Sequence, residues 1–244
     1  RLIQVMAITL LQHFSLLRRF LLPAALLLFA AQAHAGLIGY WKFDETSGTT
    51  AADSSGNGNT GTLTNMTGSE WTTGKVGGAL GFGGTNDYVR VADHSSLNPT
   101  NNITFSAWIN QPSFPHSWNE ILMKYEGSFA GGYEIYVRGN GRPRVGMALN
   151  GVKTSLDATT AIQTQKWYHL AGTYDGAEMK LYIDGVLDNS RSATGNISVS
   201  SQDLMFGGRP ADPNNAFIDE IRIYDHALSA GEISALAAGG AGAP

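Results

Sequence analysis

The chain has 244 residues, 43 % of them apolar and 15 % charged, which excludes wholesale disorder and allows one large β domain or two small ones. Its formal charge of −4 offers no basic footprint for nucleic acid. With no cysteine, disulfides, thiolate metal sites and cysteine nucleophiles are excluded, so core burial or a metal must hold the loops.

Residues 1–35 carry three basic groups, Arg1, Arg18 and Arg19, and no acid. Arg18-Arg19 precede the apolar run Phe20–Ala31, and Ala33-His34-Ala35 sets small residues at the −3 and −1 places. That order predicts a secretory signal over 1–35, cleaved after Ala35. About a dozen apolar residues fall short of the roughly 20 that a spanning helix needs, so no membrane span is expected after cleavage. The product is expected to be secreted or held at a cell surface.

Gly36–Glu45, GLIGYWKFDE, reads as an apolar-rich strand, and Asp53–Gly61, DSSGNGNTG, as a loop. Leu80–Val91 suggests two short strands around a Gly-Thr-Asn-Asp turn. Ile103–Ile109 alternates apolar and polar positions with the period of two of a half-buried strand. Gln111–Asn119 holds two prolines and is a loop; Ile121–Tyr125, Tyr133–Val137 and Val145–Leu149 follow as short strands. In Lys166–Leu187, KWYHLAGTYDGAEMKLYIDGVL, Tyr168, Leu170 and Tyr174 share one face, and Asp175-Gly176 and Asp184-Gly185 close two tight turns. Leu204–Phe206 and Ala216–Tyr224 are the last strands. Ser229 and Glu232 form a reciprocal capping pair that opens a short helix, with Ile233, Leu236 and Ala237 inward. Gly239–Pro244, GGAGAP, reads as a linker or flexible tail, which suggests a monomeric module of a larger protein.

Many short strands separated by turn residues predict an all-β sandwich. W-Y-H-L-A-G-T-Y-D-G at 167–176, followed by L-Y-I-D-G at 181–185, resembles the signature hairpin of laminin-G-like domains in the concanavalin A-like lectin/glucanase superfamily. Y-W-K-F-D-E at 40–45, D-S-S-G-N-G-N-T-G at 53–61, D-Y-V-R-V at 87–91, F-S-A-W-I at 105–109 and I-D-E-I-R-I-Y at 218–224 extend the resemblance. It implies a jelly roll of two antiparallel sheets with a short C-terminal helix over residues 36–238.

The sharpest site candidate is a structural Ca²⁺. Asp53, Ser55, Asn57 and Asn59 present oxygens at alternate positions around Gly58, an echo of a calcium loop that lacks its bidentate acid. Asp44 and Asp219 must then supply the charge; the resemblance implies that the terminal strands lie close enough for both to meet the loop. The expected metal set is Asp44, Asn57, Asn59 and Asp219, and the alternative is a plain Gly/Asn turn whose acids cap backbone amides. For ligand binding, His116 and Trp118 form a candidate sugar platform in an aromatic loop, although Trp is commonly buried, and folding back over the sandwich end is the favoured alternative. Arg138, Arg142 and Arg144 surround a Gly-rich turn and suit an acidic glycan, or form a solvated hairpin tip.

No strand carries acids at the alternating spacing of glucanases, and Glu120 and Glu126 stand six apart. No catalytic residue is expected, and no G-x-S-x-G occurs. The sequence therefore predicts a secreted non-catalytic recognition module that binds carbohydrate or a surface protein. A structural or spacer domain is the alternative, and a glucanase-type hydrolase the least favoured.

Overall fold

A computed structural model of the protein describes residues 36–83, 86–125, 129–209 and 212–239. The expected signal over 1–35 and most of the tail lie outside these residues. In chain order the strands are β1 (Leu37–Trp41), β2 (Thr50–Ala51), β3 (Gly61–Thr64), β4 (Trp71–Thr73), β5 (Gly78–Gly83), β6 (Tyr88–Val91), β7 (Ile103–Asn110), β8 (Trp118–Met123) and β9 (Tyr133–Arg138). They continue as β10 (Pro143–Leu149), β11 (Val152–Asp157), β12 (Trp167–Tyr174), β13 (Glu178–Ile183), β14 (Val186–Ser192), β15 (Leu204–Phe206), β16 (Gly208–Arg209), β17 (Asp212–Pro213) and β18 (Asn215–Tyr224). One helix, α1 (Ala230–Ala237), follows.

The strands build the expected pair of antiparallel sheets. The first has the order β14-β13-β12-β7-β18-β5-β4, with β1 also paired to β18; the second runs β11-β10-β9-β8-β15-β6-β3-β2. Alternation fixes the faces, since successive side chains of a strand point to opposite sides. Ile103, Phe105, Ala107 and Ile109 of β7 join Leu170 and Tyr174 of β12 in the core. They meet Ile135 and Val137 of β9 and Val145 and Met147 of β10 from the second sheet.

The hairpin β12–β13 forms as its sequence predicts, turning at Asp175-Gly176 with Gly176 at φ 90°, and the next turn, from β13 to β14, sets Asp184 at φ 50° and Gly185 at φ 80°, which matches strand twist. Ser229 Oγ accepts from the Glu232 amide while the Ser229 amide donates to Glu232 Oε2, so the capping box that starts α1 is present. The helix packs Ile233 and Leu236 with Leu37, Ala171, Tyr182 and Tyr224, sealing part of the first sheet's outer face.

One local boundary differs from the expectation. The first strand ends at Trp41, so Asp44 lies beyond it. In β18 a bulge between Asp219 and Arg222, with Glu220 at φ 55°, turns Asp219 outward while Ile221 and Ile223 stay in the core.

Candidate functional site

The four residues expected to hold a metal divide into two groups at opposite ends of β1. At its start, Asp53 organises the Gly-rich loop, accepting from the amides of Tyr40, Ser55 and Asn59 and from Ser55 Oγ. Asn57 Nδ2 donates to the Leu37 carbonyl and Asn59 Nδ2 to the Ile38 carbonyl. Hydrogen bonds thus tie loop to strand, and these two side chains use their amide nitrogens as donors.

Asp44 and Asp219 do converge, on the turn Gly74–Gly78. Asp44 Oδ1 accepts from the Gly78 amide at 2.7 Å, and a Cβ on Gly77 would collide with that oxygen. Asp219 Oδ2 accepts from the amides of Lys75 and Val76 at 3.0 and 2.9 Å. Asp219 Oδ1 is buried and has no hydrogen-bond partner. Burial lifts the Asp219 carboxyl to about 7 against the pull of those two amides, with the charges of Glu220 and Asp44 adding to the rise. Each acid also has a left-handed, non-glycine neighbour, Phe43 at φ 56° and Glu220 at φ 55°, a conformation such residues rarely adopt. Two carboxylates, one with an orphaned buried oxygen, beside a turn with its own carbonyls fit a hard cation. Among the described residues no group of three or more His, Asp or Glu gathers around a common point, so carbonyls would have to complete any shell.

The ligand-binding candidates come together more closely. Trp118 and Arg138 are direct cross-strand partners at the joined ends of β8 and β9. The Gly139 amide donates to the Ser117 carbonyl, and Gly139 packs on the His116 backbone. Trp118 does not fold back over the sandwich end; it starts β8 and is 52 % exposed. The arginines are not a free hairpin tip. Arg144 grips Asp157 with two bonds of 2.6 Å, Arg138 reaches the same carboxylate at 3.3 Å, and Arg142 donates to the carbonyls of Ala158 and Thr159. The hydrogen bonds from Arg144 above all hold the Asp157 carboxyl below its ordinary range.

Past Trp118 the same outer face carries a feature that local spacing does not reveal. Glu120 and Glu134, on neighbouring strands β8 and β9, are both buried. Glu134 makes an ion pair with Lys153 at 2.7 Å, and Glu120 Oε1 accepts from Tyr125 Oη at 3.3 Å; Glu120 Oε2 has no hydrogen-bond partner. Burial, and then the charge of Glu134, push Glu120 well above the usual carboxylate range; burial raises Glu134 too, with Lys153 opposing. The rings of Tyr125 and Phe129 meet at a tilt with centroids 4.1 Å apart, and Lys153 lies over Phe129 at 4.3 Å. The signal available in sequence was the strand pairing: two Glu at outward positions of consecutive antiparallel strands fall on one face. Glu126, the other acid of the sequence comparison, lies outside the described residues.

A laminin-G-type family model, described as the concanavalin A-like lectin/glucanases superfamily, matches residues 82–234. The chain belongs to that superfamily. No curated protein matches its sequence. Among solved structures, this superfamily member is similar to the binding domain of Paraclostridial Mosquitocidal Protein 1, with TM-score 0.68 and 19 % identity over 84 % of this chain and 52 % of the other. It is also similar to domain 4 of AbnA, a GH43 extracellular arabinanase from Geobacillus stearothermophilus in complex with arabinotriose. There the TM-score is 0.65 and the identity 24 %, over 83 % of this chain and 98 % of that one. The receptor binding domain of botulinum neurotoxin D gives 0.65 and 18 %, over 85 % and 53 %. The chain therefore spans about half the length of the toxin domains and nearly all of the arabinanase domain.

Proposed function

We propose that this chain is an exported, non-catalytic module that recognises a glycan on the outer face of its second sheet. The observation that carries the reading is Trp118, an exposed indole beside Arg138 on a rigid strand end. Aromatic rings take the apolar face of a sugar, and a neighbouring cation and the Asp157 carboxylate supply hydrogen bonds to hydroxyls. The arabinotriose-bound arabinanase domain, matched along almost its whole length, supports a sugar as ligand. The enclosure of Glu120 and Glu134 supports binding without turnover, since neither carboxyl has an open path to a glycosidic bond.

Export rests on the order of residues 18–35, basic then apolar then Ala-x-Ala. In the same reading Asp44 and Asp219 hold one structural Ca²⁺ against the turn Gly74–Gly78, where its charge offsets two adjacent carboxylates. Calorimetry of the full chain with arabinotriose, cellotriose and sialyllactose tests the main claim. At least one sugar should bind, and Trp118→Ala should weaken it about tenfold or more with unchanged melting temperature. If wild type binds none of them, the spacer reading replaces this one.

A further inference from the structure

On the first sheet, at the same end of the sandwich as Trp118, a second site opens between β5 and the start of β18. It is a cleft of about 460 Å³, lined by Asn65, Glu70, Gly81, Asp87, Asn215 and Phe217 among others. That size lies within the roughly 300–1,000 Å³ of small-molecule sites. We propose that this cleft is a binding subsite for a neutral sugar ring, with Phe217 as its platform.

Phe217 sits between Ala216 and Ile218, both core residues, so its own side chain points outward from the sheet. Its partner on β5 is Gly81. A Cβ there would stand 3.2 Å from Phe217 Cε1, so the missing side chain lets the ring lie against the neighbouring backbone. The ring is half-buried, supported from below rather than wrapped. This is the arrangement a stacking platform needs: fixed in orientation, open on one side.

The rim supplies the polar half of the recognition. Asn65, held at φ 57°, donates through Nδ2 to the Asn86 carbonyl at 2.9 Å, so the group it offers a ligand is Oδ1. Asn215 adds a second amide from the strand that carries Phe217. Asp87 accepts from the Gly83 amide, and Glu70 accepts from the amides of Thr67 and Gly68, which fixes both carboxylates at the cleft wall. Fixed carboxylates and amides accept and donate to sugar hydroxyls. Two negative groups on one wall also repel a carboxylated or sulfated ring, so the subsite selects neutral sugars over acidic ones. Arg138 and Arg144, beside Trp118, give the other platform the opposite bias.

This inference rests on the glycan reading but fails separately from it. The full chain is titrated with arabinotriose, cellotriose and sialyllactose as wild type, Phe217→Ala, Phe217→Leu and Trp118→Ala, each checked by thermal melt. Phe217→Leu keeps apolar bulk and loses only the ring, so it covers the case in which the alanine variant does not fold. Affinity for a neutral trisaccharide should fall about tenfold in both Phe217 variants. With Trp118→Ala removing the other platform, adding Glu70→Gln and Asp87→Asn should raise the affinity for sialyllactose, and no rise would overturn the charge selection. If both Phe217 variants bind neutral sugars as wild type does while Trp118→Ala does not, the subsite is refuted and the Trp118 reading stands. If wild type binds none of the three, both are refuted.

Discussion

On the outer face of the first sheet, His169 and Asp219 stand in register on either side of Trp108; on the outer face of the second, Glu120 and Glu134 stand on adjacent strands. All four side chains are buried. Burial depresses His169 to about 3, with Arg222 adding, and raises Asp219 to about 7. The unfolded chain binds a proton at His169 below about 6.5, so that residue costs stability as pH falls through this value. Asp219 is the reverse: its stabilisation is complete below the unfolded value near 3.8 and is lost as pH rises through about 7. Between those limits an acid and a base on one face offset each other. Glu120 and Glu134 are both raised, so on the second face two acids act in the same direction, stabilising at low pH and losing that contribution as pH climbs through their folded values. Burial of charge costs stability on both faces, and the pairing of types decides whether pH reveals it.

The largest way to break the comparison is to uncover the first face. Ile233 is buried where α1 meets Ala171, Tyr182 and Tyr224. Ile233→Ala should cost about 3 kcal/mol in denaturant unfolding, the usual range for such a truncation. A loss under 1 kcal/mol would mean that the helix is not part of the seal.

Next in size is the cation. Asp219 and Asp44 share the turn Gly74–Gly78 with no cationic side chain paired to either carboxylate among the described residues, whereas Glu134 already faces Lys153, so calcium should act on the first face alone. At about 100-fold excess over Kd, Ca²⁺ should stabilise the wild type by roughly 2.7 kcal/mol relative to excess chelator. Asp44→Ala and Asp219→Asn should each erase that difference, while Asn57→Ala and Asn59→Ala should keep it. Equal melting of wild type in calcium and in chelator would remove the site.

Much of this molecule was legible in its sequence where the signal is local. The alternation of Ile103–Ile109, the Asp-Gly turns of Lys166–Leu187 and the Ser229–Glu232 capping pair each fix their own element within a few residues, and each formed. The edge strands Val152–Asp157 and Val186–Ser192 were harder to read, because their exposed polar residues look like loop and they form through pairing with β10 and β13. Site residues followed the same rule. Asp44 and Asp219 were found as a pair, but their meeting point is the turn Gly74–Gly78, which carries no acidic or amide side chain to mark it. Glu120 and Glu134 escaped because their closeness is a matter of strand register, fourteen positions apart in the chain, and not of spacing along one strand.

The smallest effect is the most discriminating between the faces. Glu134→Gln keeps the shape of the side chain and removes one of the two buried charges, and with it part of what raises Glu120. Below the raised range in which Glu134 titrates, the wild-type side chain is as neutral as glutamine, so the substitution should leave the melting temperature almost unchanged. As pH rises through that range the wild type must ionise a buried group, helped by Lys153 and less by Tyr125 and Arg144, and the variant should become more stable by about 1 kcal/mol, or roughly 2–4 °C. Lys153 remains partly exposed and can be hydrated without its partner, so its release does not reverse the sign. The corresponding change on the first face, His169→Gln together with Asp219→Asn, should shift the melting curve without tilting its pH dependence. If Glu134→Gln loses stability with rising pH, the Lys153 ion pair outweighs the cost of burial, and the second face is charge-balanced after all.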